Sequence, residues 1–212
     1  MSEFFNGIAF GEIIQNAANM TLPDPDLTLF WKNADDRVLW LDGDCDENWT
    51  VYAQMIIRWN IEDVGADPKA RIPIILMINT DGGDLYEANM LIDVIRASKT
   101  PVIGINMSKA FSAGCYIFLA CHKRYAMPSS WFLFHRGSGN VGGNQYDVVA
   151  QTKQWNEAVE NLRALAVERT KFTEEELEAK WKNDFFLSAR EAVEAGVADA
   201  VVTSVEDAME IE

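Results

Sequence analysis

After residue 36 the apolar residues of this chain follow two alternating rhythms. IPIILMI (Ile72–Ile78) and TPVIGIN (Thr100–Asn106) are short, nearly unbroken apolar runs, as expected of strands buried on both faces. Between and around them the spacing turns helical. ENWTVYAQMIIRWNIED (Glu47–Asp63) repeats apolar positions every three or four residues, and Leu85, Ala88, Leu91, Ile92 and Ile95 share one helical face. RVLWLDG (Arg37–Gly43) has the pattern of a strand ending in a turn, and NTDGGD (Asn79–Asp84) that of a sharp glycine turn. A helix starts near Ser112, and RYAM (Arg124–Met127) and WFLFH (Trp131–His135) add two short strands. Buried strands alternating with amphipathic helices predict an α/β domain with a largely parallel sheet.

A second region begins at the glycine-rich RGSGNVGGN (Arg136–Asn144). A helix from about Asp147 to Arg169 aligns Val148, Trp155, Val159, Leu162 and Ala166 along one stripe, which fits either core or an interface between subunits. Thr173 with Glu176, and Ser188 with Glu191, have the spacing of capping boxes, so each starts a further helix. Gly196 is placed to stop the last of them before the strand VADAVV (Val197–Val202). Residues 1–36, with the turn-like LPDPD (Leu22–Asp26), show no long periodicity and form a separate acidic lead-in. The expected organisation is that lead-in followed by one α/β domain, 37–212, carrying a helical projection at about 136–182.

Composition narrows the function. A net charge of −15 disfavours nucleic acid, whose phosphates need clustered Lys and Arg, and equally an anionic membrane surface. No apolar run approaches the roughly 18–20 residues of a membrane span. No basic residue precedes Lys32, so no secretory signal is expected. Cys45, Cys115 and Cys121 are too few and too irregular for a disulfide framework or a zinc site, and the latter two suit a core. A cytoplasmic protein with no metal or cofactor is expected.

The chemistry centres on NMSKAFSAGCYIFLACHKR (Asn106–Arg124), where Ser112 sits between a strand and an apolar helix. A serine hydroxyl needs a base, a group that orients the base, and N–H donors for the oxyanion. Of the two histidines, His122 lies at the far end of the same helix, roughly 15 Å away, and suits a helix C-terminus favoured by the dipole. His135 ends an apolar strand ahead of a glycine-rich loop, a common position for catalytic side chains. In a parallel sheet the Gly82-Gly83 turn lies beside the Ser112 turn, so N–H groups of Gly83 and Ala113 could converge on one point. Among 33 acidic residues composition selects no third partner; Asp184 precedes apolar residues in KNDFFLSAREA, which suggests a partly buried carboxylate or a simple turn cap.

These residues resemble a known family. ILMINTDGGDLYEANMLIDVI (Ile75–Ile95) is similar to the strand, NSPGG turn and helix of the ClpP family, the proteolytic subunits of the Clp protease. INMSKAFSAGCYIFLAC (Ile105–Cys121) resembles its nucleophile segment G-x-A-A-S-M-G, and RYAMPSSWFLFHRG (Arg124–Gly137) its K-R-x-x-L-P-N-S-x-x-M-I-H-Q-P. NDFFLSAREAVEAGVADAVV (Asn183–Val202) resembles R-D-x-F-x-S-A-x-E-A-x-x-Y-G-L-I-D. Four motifs in order, spanning about Arg37 to Val202, make the likeness specific. It implies a crotonase-like spiral of β-β-α units with a helical handle. It also implies a serine endopeptidase with nucleophile Ser112, base His135, orienting acid Asp184, and oxyanion donors at the Gly83 and Ala113 N–H groups. Implied partners are a peptide or unfolded protein substrate, a homo-oligomeric ring, and an ATP-driven AAA+ unfoldase that feeds it. The chain departs from the pattern with Ala113 for Met, Asp81 for Pro, Arg136-Gly137 for Gln-Pro, and Lys182-Asn183 for an acidic residue and Arg. Two other readings remain: a catalytically silent ring subunit, and a crotonase-fold enzyme acting on acyl-CoA.

Overall fold

The computed structural model describes residues 24–210. The chain divides into two units, with the boundary between Asp36 and Arg37. In the first, helix α1 (Pro25–Asp35) starts inside the LPDPD stretch. What resembles a turn is a helix start: the Asp24 side chain accepts the Asp26 N–H at 2.9 Å, and Pro25, which has no N–H to leave unpaired, takes the first turn. Residues 1–23 of the expected lead-in lie outside the described residues.

The second unit is built on a seven-stranded sheet. Its strands are β1 (Val38–Cys45), β2 (Ile74–Gly83), β3 (Val102–Phe111), β4 (Lys123–Ala126), β5 (Trp131–Phe134), β6 (Phe185–Ser188) and β7 (Ala200–Val201). The order β1-β2-β3-β4-β7 is parallel throughout. Strand β5 leaves this path: it runs parallel to the far half of β3 and antiparallel to β6.

Helices α2 (Thr50–Glu62), α3 (Leu85–Ala97) and α4 (Ala113–Ala120) join the main core. Alternation along β2 divides its side chains: Ile74, Leu76 and Ile78 enter that core, while Ile75 and Met77 join a second cluster with Ile103, Ile105 and Tyr125. That second cluster includes Ala208 of the short helix α8 (Val205–Glu210). Burial on both faces is why these strands are unbroken apolar runs.

Both β2 and β3 run five residues past their apolar runs. The reason for β3 is a change of partner: residues 103–106 pair with β4, whereas 109–111 pair with β5. Ser108 and Lys109 interrupt the apolar pattern at that fork, so the far half lacks the hydrophobic signature of the first.

The long helix α5 (Gln145–Arg169) buries Ala158, Leu162, Leu165 and Ala166 and leaves its first half exposed. Its last residue roots it, since the Arg169 guanidinium donates to the carbonyls of Leu119 (3.0 Å) and Cys121 (2.7 Å) at the end of α4. Those carbonyls have no intrahelical partner, so Arg169 serves as their cap. The capping boxes of Thr173 and Glu176 on α6 (Glu174–Lys180), and of Ser188 and Glu191 on α7 (Ala189–Glu194), are both formed. A third, Asn144 with Asp147, starts α5 two residues earlier than the apolar stripe suggests.

Candidate active site

Ser112 stands between β3 and α4 with φ 51° and ψ −123°, a backbone conformation that side-chain-bearing residues rarely adopt. Its N–H donates to the Leu133 carbonyl of β5 at 3.0 Å. A serine at a helix start ordinarily turns its hydroxyl onto the helix N–H groups. Here the hydroxyl makes no such bond and lies instead 2.5 Å from His135 Nε2. The forked β3 explains the meeting: its far half carries Ser112 along β5, and His135 is the residue just past β5.

Asp184 arrives from the other side of β5. In the β5–β6 ladder Trp131 faces Ser188 and Phe134 faces Phe185. One more step of that register sets His135 opposite Asp184. The approach is looser than that of Ser112: Asp184 Oδ1 lies 3.6 Å from His135 Nδ1, and the carboxylate side chain is 63% exposed. The partly buried setting suggested by its apolar neighbours is therefore wrong. Phe185 and Phe186 alternate along a strand, so the apolar residues after Asp184 do not draw it inward.

The glycine turn closes the other side. Gly82 has φ +100°, and a Cβ there would fall 2.7 Å from the Ser112 Cβ and 2.9 Å from the Ala113 nitrogen. Gly83, at φ +148°, packs equally tightly on β1, where a Cβ would meet the Cys45 carbonyl oxygen at 2.4 Å. Glycine at 82 lets the two turns touch, and glycine at 83 lets the turn pack on β1. Ala113 is the first residue of α4, so its N–H has no intrahelical acceptor. Gly83, Ser112, Ala113 and His135 all line one cavity of about 420 Å³. Asp81 forms an ion pair with Lys109, which answers the carboxylate beside this turn with a positive charge.

Leu85, Tyr116, Trp155, Val159 and Leu162 give the cavity an apolar wall. Trp155 lies against the glycine-rich loop, where a Cβ on Gly139 would come within 2.9 Å of its ring. Leu162 and Ala166 of its stripe are core, whereas Trp155 packs on the loop. Tyr116 carries no sequence signal beyond its place four residues after Ser112, one turn along the helix.

His122 plays no part here. Its Nδ1 accepts the Val102 N–H at 3.0 Å at the start of β3. Burial, and then the nearby Arg169 charge, hold its pKa below the ordinary histidine value. It is a neutral strand-end acceptor, not a cation favoured by a helix dipole. The three cysteines are free and buried. Among the described residues no cluster of three or more His, Cys, Asp or Glu could hold a metal, and no helix is long and apolar enough to cross a membrane.

The ATP-dependent Clp protease proteolytic subunit 2 of Pseudomonas aeruginosa is 32% identical over 172 residues, covering 79% of this chain and 82% of the relative. The Clp protease proteolytic subunit of Paracoccus denitrificans is 31% identical over 137 residues, covering 64% and 69%. A solved ClpP1 variant from Listeria monocytogenes superposes with a TM-score of 0.71 at 23% identity, covering 86% of this chain and 99% of that one, a likeness of fold. The Clp protease family model matches residues 36–205, and with the curated relatives it shows that the chain belongs to the Clp protease family.

Proposed function

We propose that this chain hydrolyses peptide bonds, with Ser112 as nucleophile, His135 as general base and Asp184 as the carboxylate that supports the charged imidazole. The observation that carries the reading is the 2.5 Å contact between Ser112 Oγ and His135 Nε2 at a serine held in a strained turn. His135 Nε2 takes the hydroxyl proton as Oγ attacks the peptide carbonyl. The resulting oxyanion meets the N–H groups of Gly83 and Ala113, preset by the touching turns and by the α4 N-terminus. Protonated His135 then gives its proton to the leaving amine. Water repeats the sequence on the acyl-serine and restores the free hydroxyl. None of these steps uses a nucleotide, metal or cofactor.

The relatives are named proteolytic subunits of an ATP-dependent protease. We infer that this chain likewise assembles into a homo-oligomeric ring and receives unfolded polypeptide from an ATP-driven unfoldase. The acyl-CoA alternative leaves the Ser112–His135 pair without a task.

The deciding experiment is intact mass after exposure to a fluorophosphonate probe, with Ser112→Ala as control. One adduct, absent in the variant, is the expected result. No adduct on folded, oligomeric protein would overturn the peptidase reading in favour of a silent ring subunit.

A further inference from the structure

We propose that Tyr116 is a positioning residue that sets the spacing of all three segments bearing the triad. Tyr116 lies on α4, one turn beyond Ser112, and is only 2% exposed. Its hydroxyl donates to the backbone carbonyl of His135 at 3.3 Å. Its ring stands edge-to-face against Phe134, the residue before His135, at 5.8 Å and 88°. On another side it stands edge-to-face against Trp181, three residues before Asp184, at 6.2 Å and 84°. One buried side chain thus touches the strand end that carries His135 and the turn that carries Asp184, while its own helix carries Ser112.

Physical need supports this role. His135 stands between the end of β5 and the glycine-rich loop, so no ladder bond holds its own carbonyl within the strand. Asp184 is exposed and 3.6 Å from His135, so the carboxylate alone is a weak tether for the imidazole. The Ser112–His135 contact is nonetheless short. A buried phenol, rigid and fixed at two faces, supplies the missing constraint, and its hydroxyl finds the one acceptor whose movement would displace the base. The hydroxyl bond is long for O–H···O, so its share is modest and the packed ring supplies the rest.

The inference rests on the proposed roles of Ser112 and His135, and two variants with two readouts separate its failure from theirs. Tyr116→Phe removes only the hydroxyl; Tyr116→Leu removes both edge-to-face contacts and keeps an apolar side chain. In Tyr116→Phe, kcat for a peptide substrate should fall about three- to tenfold, the worth of one neutral hydrogen bond, with KM and melting temperature unchanged. In Tyr116→Leu, kcat should fall about a hundredfold, as for a base misplaced by about an ångström. Because the chain has two histidines, the His135 ring signal can be followed by NMR against His122 as an internal reference. The His135 signal should move in both variants while that of His122 stays. An unmoved His135 signal with wild-type kcat in Tyr116→Phe would overturn the positioning role, as would a loss in Tyr116→Leu that only tracks the loss of folded protein. If wild-type Ser112 takes no fluorophosphonate, the peptidase reading fails instead, and the NMR comparison still reports whether Tyr116 holds His135.

Discussion

Replacing Asp184 by Asn should cost this enzyme far less than the loss of a buried triad carboxylate would. At the 3.6 Å separation from His135 Nδ1, a carboxylate would stabilise the imidazolium of the proposed mechanism by about 1 kcal/mol in water and about 5 kcal/mol at the effective dielectric of a partly shielded site. With its side chain 63% exposed, Asp184 belongs near the water end of that range. The separation is also too long for a direct hydrogen bond that would fix the histidine tautomer. Asp184→Asn should therefore lower kcat about ten- to thirtyfold, a loss of about 1–2 kcal/mol. Ser112→Ala and His135→Ala should each remove at least about ten-thousandfold, because those groups act as a unit.

The assay is steady-state hydrolysis of a fluorogenic peptide, run in parallel with the rate of fluorophosphonate labelling. Salt supplies an internal check. Between about 0.1 M and 1 M the Debye length shrinks from about 10 Å to about 3 Å, so the wild-type rate should fall toward that of the Asn variant, which should barely respond. A thousandfold loss in Asp184→Asn, insensitive to salt, would refute this reasoning. It would mean that Asp184 closes onto His135 and shuts out water in the working enzyme.

Three further outcomes follow from the geometry. Asp63 accepts two bonds from Arg37 (2.7 and 2.8 Å) and one from Thr100, and chiefly the Arg37 bond lowers its pKa to about 2 from an ordinary 3.8. A depressed carboxylate stabilises the fold above its unfolded pKa and loses that contribution as pH falls toward 2. About 2 kcal/mol should thus disappear between roughly pH 5 and pH 2 in urea titrations, and Asp63→Asn should lack that slope. Gly82→Ala places a Cβ 2.7 Å from the Ser112 Cβ at a left-handed backbone position, so Ser112 labelling should drop at least about a hundredfold, and unchanged labelling would disprove the contact between the turns. Burial pushes the Cys45 and Cys121 thiols up to about 12 and that of Cys115 well above its ordinary value, so native protein at pH 8 should take up no iodoacetamide by mass spectrometry, whereas unfolded protein should take up three.

Much of the core was legible because its signals are local. An unbroken apolar run requires burial on both faces, a stripe at helical spacing requires one, and Ser188 with Glu191 marks a helix start from four residues of sequence. The glycine pair and Ser112 were legible for a related reason: the positive φ of Gly82 and the close approach of the two turns leave room for almost nothing else. Asp184 was different. What places it is the antiparallel β5–β6 register, in which His135 and Asp184 are the next pair after Phe134 and Phe185. Those strands are separated by the whole helical projection, and no spacing rule connects residue 135 to residue 184 across it. The resemblance to a family could point to Asp184, but its exposure could not be inferred from the apolar residues beside it.

The extent of β3 and the setting of Trp155 were hidden for the same reason. Each depends on which partner a segment meets: β5 for the far half of β3, and the loop at Gly137 and Gly139 for Trp155. Tyr116 is the extreme case, since a tyrosine in a fully buried helix has the appearance of core. What distinguishes it is that its two aromatic neighbours and its one hydrogen-bond acceptor belong to the segments bearing His135 and Asp184. The proposed chemistry of this site is therefore written locally at Ser112, while its geometry depends on distant segments brought together by a sheet that forks.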